Sequence, residues 1–177
     1  MITQKEILRL ARERDACEQG LAWYEERPKS ALLTWDAIEN KYFMWVARNI
    51  PEAIPYLQTL PEELKDKSLI SQEVYVRESM AIIRYRLKVL KDDPCRIVRC
   101  EVAQQGYALE QLKDDPCWLV RHEVAHKGYA LEQLKNDQNW CVRAEVAKQG
   151  YALEQLKDDP DEWVRFVAED KLKEMKQ

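Results

Sequence analysis

A 22-residue repeat fills the second half of the chain and limits what it can fold into. The copies begin at Tyr85, Tyr107, Tyr129 and Tyr151, and the second copy reads YALEQLKDDPCWLVRHEVAHKG. A unit of this length cannot bury an apolar face alone, so neighbouring copies must stack to make a shared core. The repeat therefore predicts a one-dimensional array of similar units.

Each copy has the apolar spacing of two helices. Leu109 and Leu112 are three residues apart and predict a short first helix, which can be a single tight turn. Val120 and Val124 are four residues apart and place an apolar stripe on a longer second helix. These patterns predict an all-α fold, an α-solenoid of four helix-pair repeats.

The residues between the two helices resemble helix-boundary signals. Asp115 is predicted to cap the second helix through its carboxylate, with Pro116 at the first helical position, where no amide hydrogen is needed. Gly128 is predicted to take the left-handed conformation that ends the helix.

The residues before Tyr85 divide into two predicted segments. Residues 63–84 form a degenerate repeat and junction, because four template residues occur there at the repeat spacing: Val76, Arg77, Met80 and Ala81. Residues 1–62 are a helical region without repeats, opened by a Thr3–Glu6 capping box, and are expected to cap the array. Residues 85–177 hold the four repeats and a C-terminal cap.

The tryptophans of the first region have helical spacing. Trp23, Trp35 and Trp45 are predicted to pack as core, because aromatic side chains at such spacing usually bury. A ligand-binding box is the alternative. Asp15 is expected to start the second helix of this region.

The segment from Asp115 to Ala125 carries the signature D-P-x-x-x-V-R-x-x-V-A. It resembles the HEAT-like and leucine-rich-variant repeat families over about half the chain. The resemblance implies a superhelix of short helix pairs that serves as a binding scaffold. Some leucine-rich-variant proteins carry an N-terminal iron–sulfur cluster, but Cys17 is the sole cysteine of that region, so no cofactor is expected. The stretch from Asp15 to Trp23 resembles a segment of uncharacterised bacterial and phage repeat proteins.

Charge and composition limit the classes of partner and the compartment that the sequence favours. The net charge is −4 with no single-sign tail, which does not favour a broad phosphate-binding face, and nucleic-acid binding is kept as an alternative function. No apolar run is long enough for a membrane span, and the N-terminus lacks a signal-peptide core. Five cysteines without a CxxC pair predict free thiols, and together these features predict a cytoplasmic protein.

Two charged columns persist through the copies. The arginine column is Arg77, Arg99, Arg121, Arg143 and Arg165, and the aspartate column is Asp93, Asp115, Asp137 and Asp159. We predict an arginine–aspartate ladder between neighbouring copies. An arginine stripe for an anionic ligand is the alternative.

The columns that vary between copies are candidates for function. We define the variable face as Arg96, Trp118, His122, His126, Trp140 and Lys148. Ala144 is expected between the last two, and the tryptophans could instead stack between copies as core. Tryptophan is enriched at interface hot spots, so the face predicts a non-enzymatic protein-interaction module of adaptor or inhibitor type, with another protein as partner.

His122-Glu123-Val124-Ala125-His126 matches the HExxH motif, in which two histidines bind zinc and the glutamate activates water. With Glu145 as third ligand, it gives a second alternative, a zinc-dependent hydrolase. We expect no catalytic or metal site, because the repeat template already places a glutamate at Glu101, Glu123 and Glu145. The histidines fall in variable columns.

Overall fold

The computed structural model describes residues 2–39 and 41–175, and all regular structure in these residues is helical. This finding confirms the predicted all-α fold. The chain divides into two compact units, Met1–Leu90 and Lys91–Gln177. The division therefore falls inside the first repeat copy, after its short helix.

The first unit contains eight α-helices and two 3₁₀ helices in its described residues. The α-helices are α1 (Gln4–Glu13), α2 (Glu18–Glu25), α3 (Trp35–Glu39), α4 (Tyr42–Asn49), α5 (Ile54–Leu57), α6 (Glu62–Leu69), α7 (Val74–Ile82) and α8 (Leu87–Leu90). The 3₁₀ helices are Lys29–Leu33 and Pro51–Ala53. Helix α1 packs on α2, and α4 packs on α7. The core includes Ile7, Phe43, Leu57 and Met80, which are fully buried. The tryptophans predicted to pack as core are only half-buried, so they lie at its edge: Trp23, Trp35 and Trp45.

The start of α1 follows the prediction, but the start of α2 does not. Thr3 and Glu6 form the predicted capping box. Asp15 does not begin the second helix, because it takes a left-handed conformation with φ of 58° just after α1. The amide of Ala16 donates to the carbonyl of Ala11 in the same turn, which closes the first helix in a Schellman motif. Helix α2 begins only at Glu18.

The degenerate copy has the same local geometry as the repeats that follow it. Helix α7 occupies positions 22 residues before the first long helix of the second unit, Arg96–Gln104. Arg84 stands where later copies have glycine and takes a φ of 60°. The Arg77 guanidinium donates to the carbonyls of Ser71 and Gln72, as the later arginines do to their own loops.

The second unit alternates nine-residue and four-residue helices before a longer final one. They are α9 (Arg96–Gln104), α10 (Leu109–Leu112), α11 (Trp118–His126), α12 (Leu131–Leu134), α13 (Trp140–Lys148), α14 (Leu153–Leu156) and α15 (Glu162–Glu174). Helix α9 packs on α11, α11 on α13 and α13 on α15, so the long helices stack in chain order. Their shared core is a row of fully buried valines: Val98, Val102, Val120, Val124, Val142, Val146 and Val164.

The helix boundaries correct one prediction and confirm another. Asp115 and Pro116 lie before the helix start, because Cys117 is the N-cap of α11. The Asp115 carboxylate accepts from the Cys117 amide at 2.8 Å, so it organises the turn rather than the helix end. Gly128 has a φ of +70°, as predicted for a residue that ends a helix.

Candidate functional site

The arginine and aspartate columns pair between neighbouring copies. The Nε atoms of Arg99, Arg121 and Arg143 lie 2.6 to 2.7 Å from a carboxylate oxygen of the aspartate sixteen residues later, and a second guanidinium nitrogen lies 2.8 to 3.0 Å from the other oxygen. These contacts confirm the predicted ladder. Since the bidentate pairs occupy both oxygens of largely buried carboxylates, the column is structural rather than a stripe open to an anion.

Two further columns form ladders of their own. The hydroxyls of Tyr129 and Tyr151 donate to Glu110 and Glu132, nineteen residues earlier, at 2.8 and 2.7 Å. The side-chain amides of three glutamines make the same nineteen-residue step to a polar side chain. They are Gln111 to Asp92, Gln133 to Asp114 and Gln155 to Asn136. The repeated polar residues of the template therefore bond one copy to the next.

The side chains at the helix starts are exposed. Trp118 is 37% exposed and Trp140 is 45% exposed, so the two tryptophans do not form the core between copies. Arg96 is exposed in the same column of α9. Equivalent positions on stacked helices lie roughly 8–10 Å apart, which makes these three residues neighbours along one side of the array.

The next column is apolar and exposed on α9, α11 and α15, whereas on α13 it holds the half-buried Cys141. Ile97, Leu119 and Trp163 are between 36% and 50% exposed. Phe166 is 57% exposed, and its ring stacks on that of Trp163 with centroids 5.3 Å apart. The copies carry Ile97, Leu119, Cys141 and Trp163 in this column, so apolar side chains replace one another there. They resemble core residues until the helix register is known.

The other members of the variable face converge on one buried carboxylate. The Nδ1 atom of His126 lies 2.8 Å from Oε1 of Glu145, and Nε2 of His122 lies 3.5 Å from Oε2. Lys148 places its ammonium 3.4 Å from the same carboxylate. Glu145 itself is 4% exposed. Three predicted face residues thus share a partner on α13.

The Glu145 carboxylate is ionised at neutral pH. Burial alone would raise the pKa of its carboxyl, but hydrogen bonds from His126 and Gln149, with the nearby charges of His122 and Lys148, outweigh burial and lower that pKa. The cluster is therefore a network between α11 and α13 in which the Glu145 carboxylate is satisfied by its neighbours, with the Lys148 ammonium as the permanent cation.

The variable face differs from expectation at Ala144, which is 3% exposed and belongs to the core. A small side chain there lets the neighbouring helix approach, so this copy adds no surface at that position. The face accordingly has two parts. Trp118 and Trp140, with Arg96, lie at the helix starts, and the Glu145 network lies toward the helix ends.

The two histidines of the HExxH motif are partners of Glu145 in this arrangement. His122, His126 and Glu145, the predicted alternative zinc ligands, do come together, but as an imidazole–carboxylate network. Within residues 2–39 and 41–175, no group of three or more histidines, cysteines, aspartates and glutamates is arranged to hold a metal ion.

Comparison with known proteins gives no relative. No family model, curated protein or solved structure matches the chain. The HEAT-like resemblance accordingly remains a prediction from the repeat signature. Among the described helices, none has the length and apolar character needed to cross a membrane.

Proposed function

We propose that this protein is a non-enzymatic, HEAT-like interaction module that binds another protein through the variable face. The observation that carries the proposal is the exposure of Trp118 and Trp140 on successive stacked helices. Tryptophan is enriched among the few residues that carry most of the binding energy at protein interfaces, and covering its exposed apolar surface favours association.

The surrounding residues support a protein as the partner. Ile97 and Leu119 extend the apolar surface beside the tryptophans, and Arg96 adds a charge at its edge. This mixture of an apolar centre and a polar rim is typical of protein interfaces. Three residues of the arginine column, Arg99, Arg121 and Arg143, are already paired with aspartates, which leaves few free cations for a nucleic-acid backbone.

We further propose that the protein acts in the cytoplasm. All five cysteines are free thiols, which is the expected state in a reducing compartment. The burial of Cys100 raises its pKa to about 12, with a smaller contribution from Cys117, and such a thiol reacts slowly.

The test is capture of partners by the immobilised full-length protein from cells that encode it, followed by direct titration of each captured protein. We expect Trp118→Ala and Trp140→Ala to abolish binding of the partner. Tyr107→Ala is the matched control, because Tyr107 is an equally exposed aromatic outside the variable face. A partner that binds the tryptophan variants as well as the control would contradict the proposal, and binding lost after nuclease treatment would favour nucleic acid instead.

A further inference from the structure

The exposed charges of the long helices are of one sign, although the second unit as a whole is acidic. Lys91–Gln177 contains more acidic than basic residues. Each of the helices α9, α11 and α13 nevertheless exposes no carboxylate, because its single glutamate is buried or half-buried. The exposed permanent charges on these helices and their C-caps are Arg96, Lys127 and Lys148. The surface around the variable face is therefore cationic.

The exposed carboxylates of the repeats lie elsewhere and are mostly paired. Glu110, Glu132 and Glu154 are exposed on the short helices α10, α12 and α14, and each pairs with the lysine three residues later. Arg96 and Lys127, in contrast, form no ion pair with a described residue. Cations without a counter-charge in their own fold complement carboxylates on a partner.

These cations surround an apolar centre. Trp118, Leu119 and Trp140 are exposed at the starts of α11 and α13, and Arg96 lies in the same row on the preceding helix. Lys127 lies at the other end of α11, about 12 Å away, because a nine-residue helix rises about 1.5 Å per residue. An apolar centre with charge at its rim fits a ligand whose apolar side chains are flanked by carboxylates.

The stacking of the copies sets the spacing of the ligand's apolar residues. Trp118 and Trp140 are equivalent residues of α11 and α13, which pack on each other, and packed helices lie ~8–10 Å apart. In a polyproline II segment, residues three apart lie on the same side and about 9 Å apart, since each residue rises about 3.1 Å. Such segments dock on surfaces lined by aromatic side chains. An extended segment with apolar residues three positions apart therefore reaches both tryptophans.

We propose that the variable face binds an extended acidic segment of another protein, with apolar residues over Trp118 and Trp140 and carboxylates at Arg96, Lys127 and Lys148. This inference rests on the proposed function and names the chemistry of the partner. Single-stranded nucleic acid also combines stacking on aromatic rings with phosphate–cation contacts. The acidic balance of the second unit disfavours a phosphate chain, whereas a short acidic segment needs only these few cations.

The test is selection of a random dodecapeptide library, displayed on phage, on the immobilised full-length protein. We expect the selected peptides to be enriched in aspartate and glutamate over the unselected library, with apolar residues recurring three positions apart. The selected peptides are then synthesised and titrated by fluorescence anisotropy. Replacing their acidic residues with lysine should abolish binding, because cations then face cations.

Charge-reversed variants locate the contact. Arg96→Glu and Lys127→Glu should each weaken a selected peptide about tenfold, because a carboxylate then faces the ligand's carboxylates. Lys173→Glu is the matched control, since Lys173 is an exposed lysine of the same unit outside the variable face, and it should bind as wild type does. Circular dichroism melting of each variant shows that the fold is kept.

The outcomes separate this inference from the proposed function. Selected peptides that need Trp118 but are not acidic would overturn the acidic segment and leave the proposed function standing. Acidic peptides that bind Trp118→Ala as tightly as wild type would count against both. Failure to select any peptide, or tighter binding of an oligothymidylate probe than of the peptides, would overturn the inference. Dimerisation of the protein alone that Arg96→Glu abolishes would also overturn it, because a second copy would then be the occupant.

Discussion

Arg121 and Asp137 form a bidentate ion pair between two successive repeats, with nitrogen–oxygen distances of 2.6 and 2.8 Å. The same guanidinium donates to the carbonyl of Asp115 at 2.8 Å, so one side chain ties its own loop to the next copy. Both partners are largely buried. The pair therefore links two successive repeat copies through their side chains.

Loss of this arginine should destabilise the second unit strongly. We expect Arg121→Met to lower the free energy of unfolding by about 3–5 kcal/mol, because the Asp137 carboxylate is left buried without a counter-charge. Urea denaturation followed by circular dichroism measures the change. The double variant Arg121→Met/Asp137→Leu should recover much of the loss. A double variant less stable than the single one would show that the uncompensated charge is not the cause.

Acid should weaken the same ladder at Asp159. Burial alone would raise the pKa of this carboxyl, but hydrogen bonds from the Arg143 guanidinium and the Asp161 amide outweigh it, so the pKa lies below its usual value. A pKa lower in the folded than in the unfolded state means that protonation favours unfolding. The stabilisation is complete above the unfolded value of about 4 and is lost as pH falls through the folded value.

Melting temperatures recorded between pH 7 and pH 2 test this expectation. Asp159→Asn should be less stable at pH 7 but lose less stability in acid, because the asparagine does not titrate. The neighbouring exposed Asp158→Asn serves as the control and should keep the wild-type profile. Identical acid sensitivity of wild type and Asp159→Asn would contradict the assignment.

Two residues with positive φ in each repeat should change the stability in opposite directions when they are substituted. Gly128 has a φ of +70° with open space where a Cβ would lie, so Gly128→Ala should cost about 1–2 kcal/mol from backbone strain alone. Ala130 already takes a φ of 54°. Ala130→Gly relieves that strain and should be neutral or stabilising by up to about 1 kcal/mol, after the entropy cost of glycine. Urea denaturation gives the free energy of unfolding of each variant. Two variants that are both clearly less stable than wild type, or both more stable, would contradict the expectation.

Much of the second unit was predictable from its copies. Val120 and Val124 recur with helical spacing, and the arginine and aspartate columns are each other's partners, so stacking and the ladder follow from the repeat itself. The Asp115–Pro116 pair predicted a start of α11 two residues too early. A carboxylate can accept a hydrogen bond within the turn before a helix, as Asp115 does, as readily as it can cap the helix itself.

The candidate sites were less predictable than the fold. Exposure of Trp118 depends on the rotation of α11 about its axis, which the repeat spacing leaves open. The half-burial of Trp23 and Trp45 depends on how the helices of the first unit pack, and residues 1–62 have no internal copies to compare.

The tryptophans of the variable face should contribute little to stability, in contrast to their helix neighbours. Trp140 is 45% exposed, whereas Val142, two residues later in α13, is fully buried. We expect Trp140→Ala to lower the free energy of unfolding by less than about 1 kcal/mol, since surface substitutions away from special features usually cost little. Val142→Ala should cost about 2 kcal/mol, because it removes buried methyl groups.

Paired urea denaturations of these two variants and wild type measure the difference directly. A tryptophan as costly as the valine would mean that the Trp140 ring stabilises the stack of copies, and the proposed binding role would lose its main support. If Trp140→Ala lowers the free energy of unfolding less than Val142→Ala does, the Trp140 ring contributes little to folding. Its exposed area is then available to bind a partner. Repeat arrays bind partners through such extended side-chain surfaces, and a tryptophan kept on the surface is typical of that use.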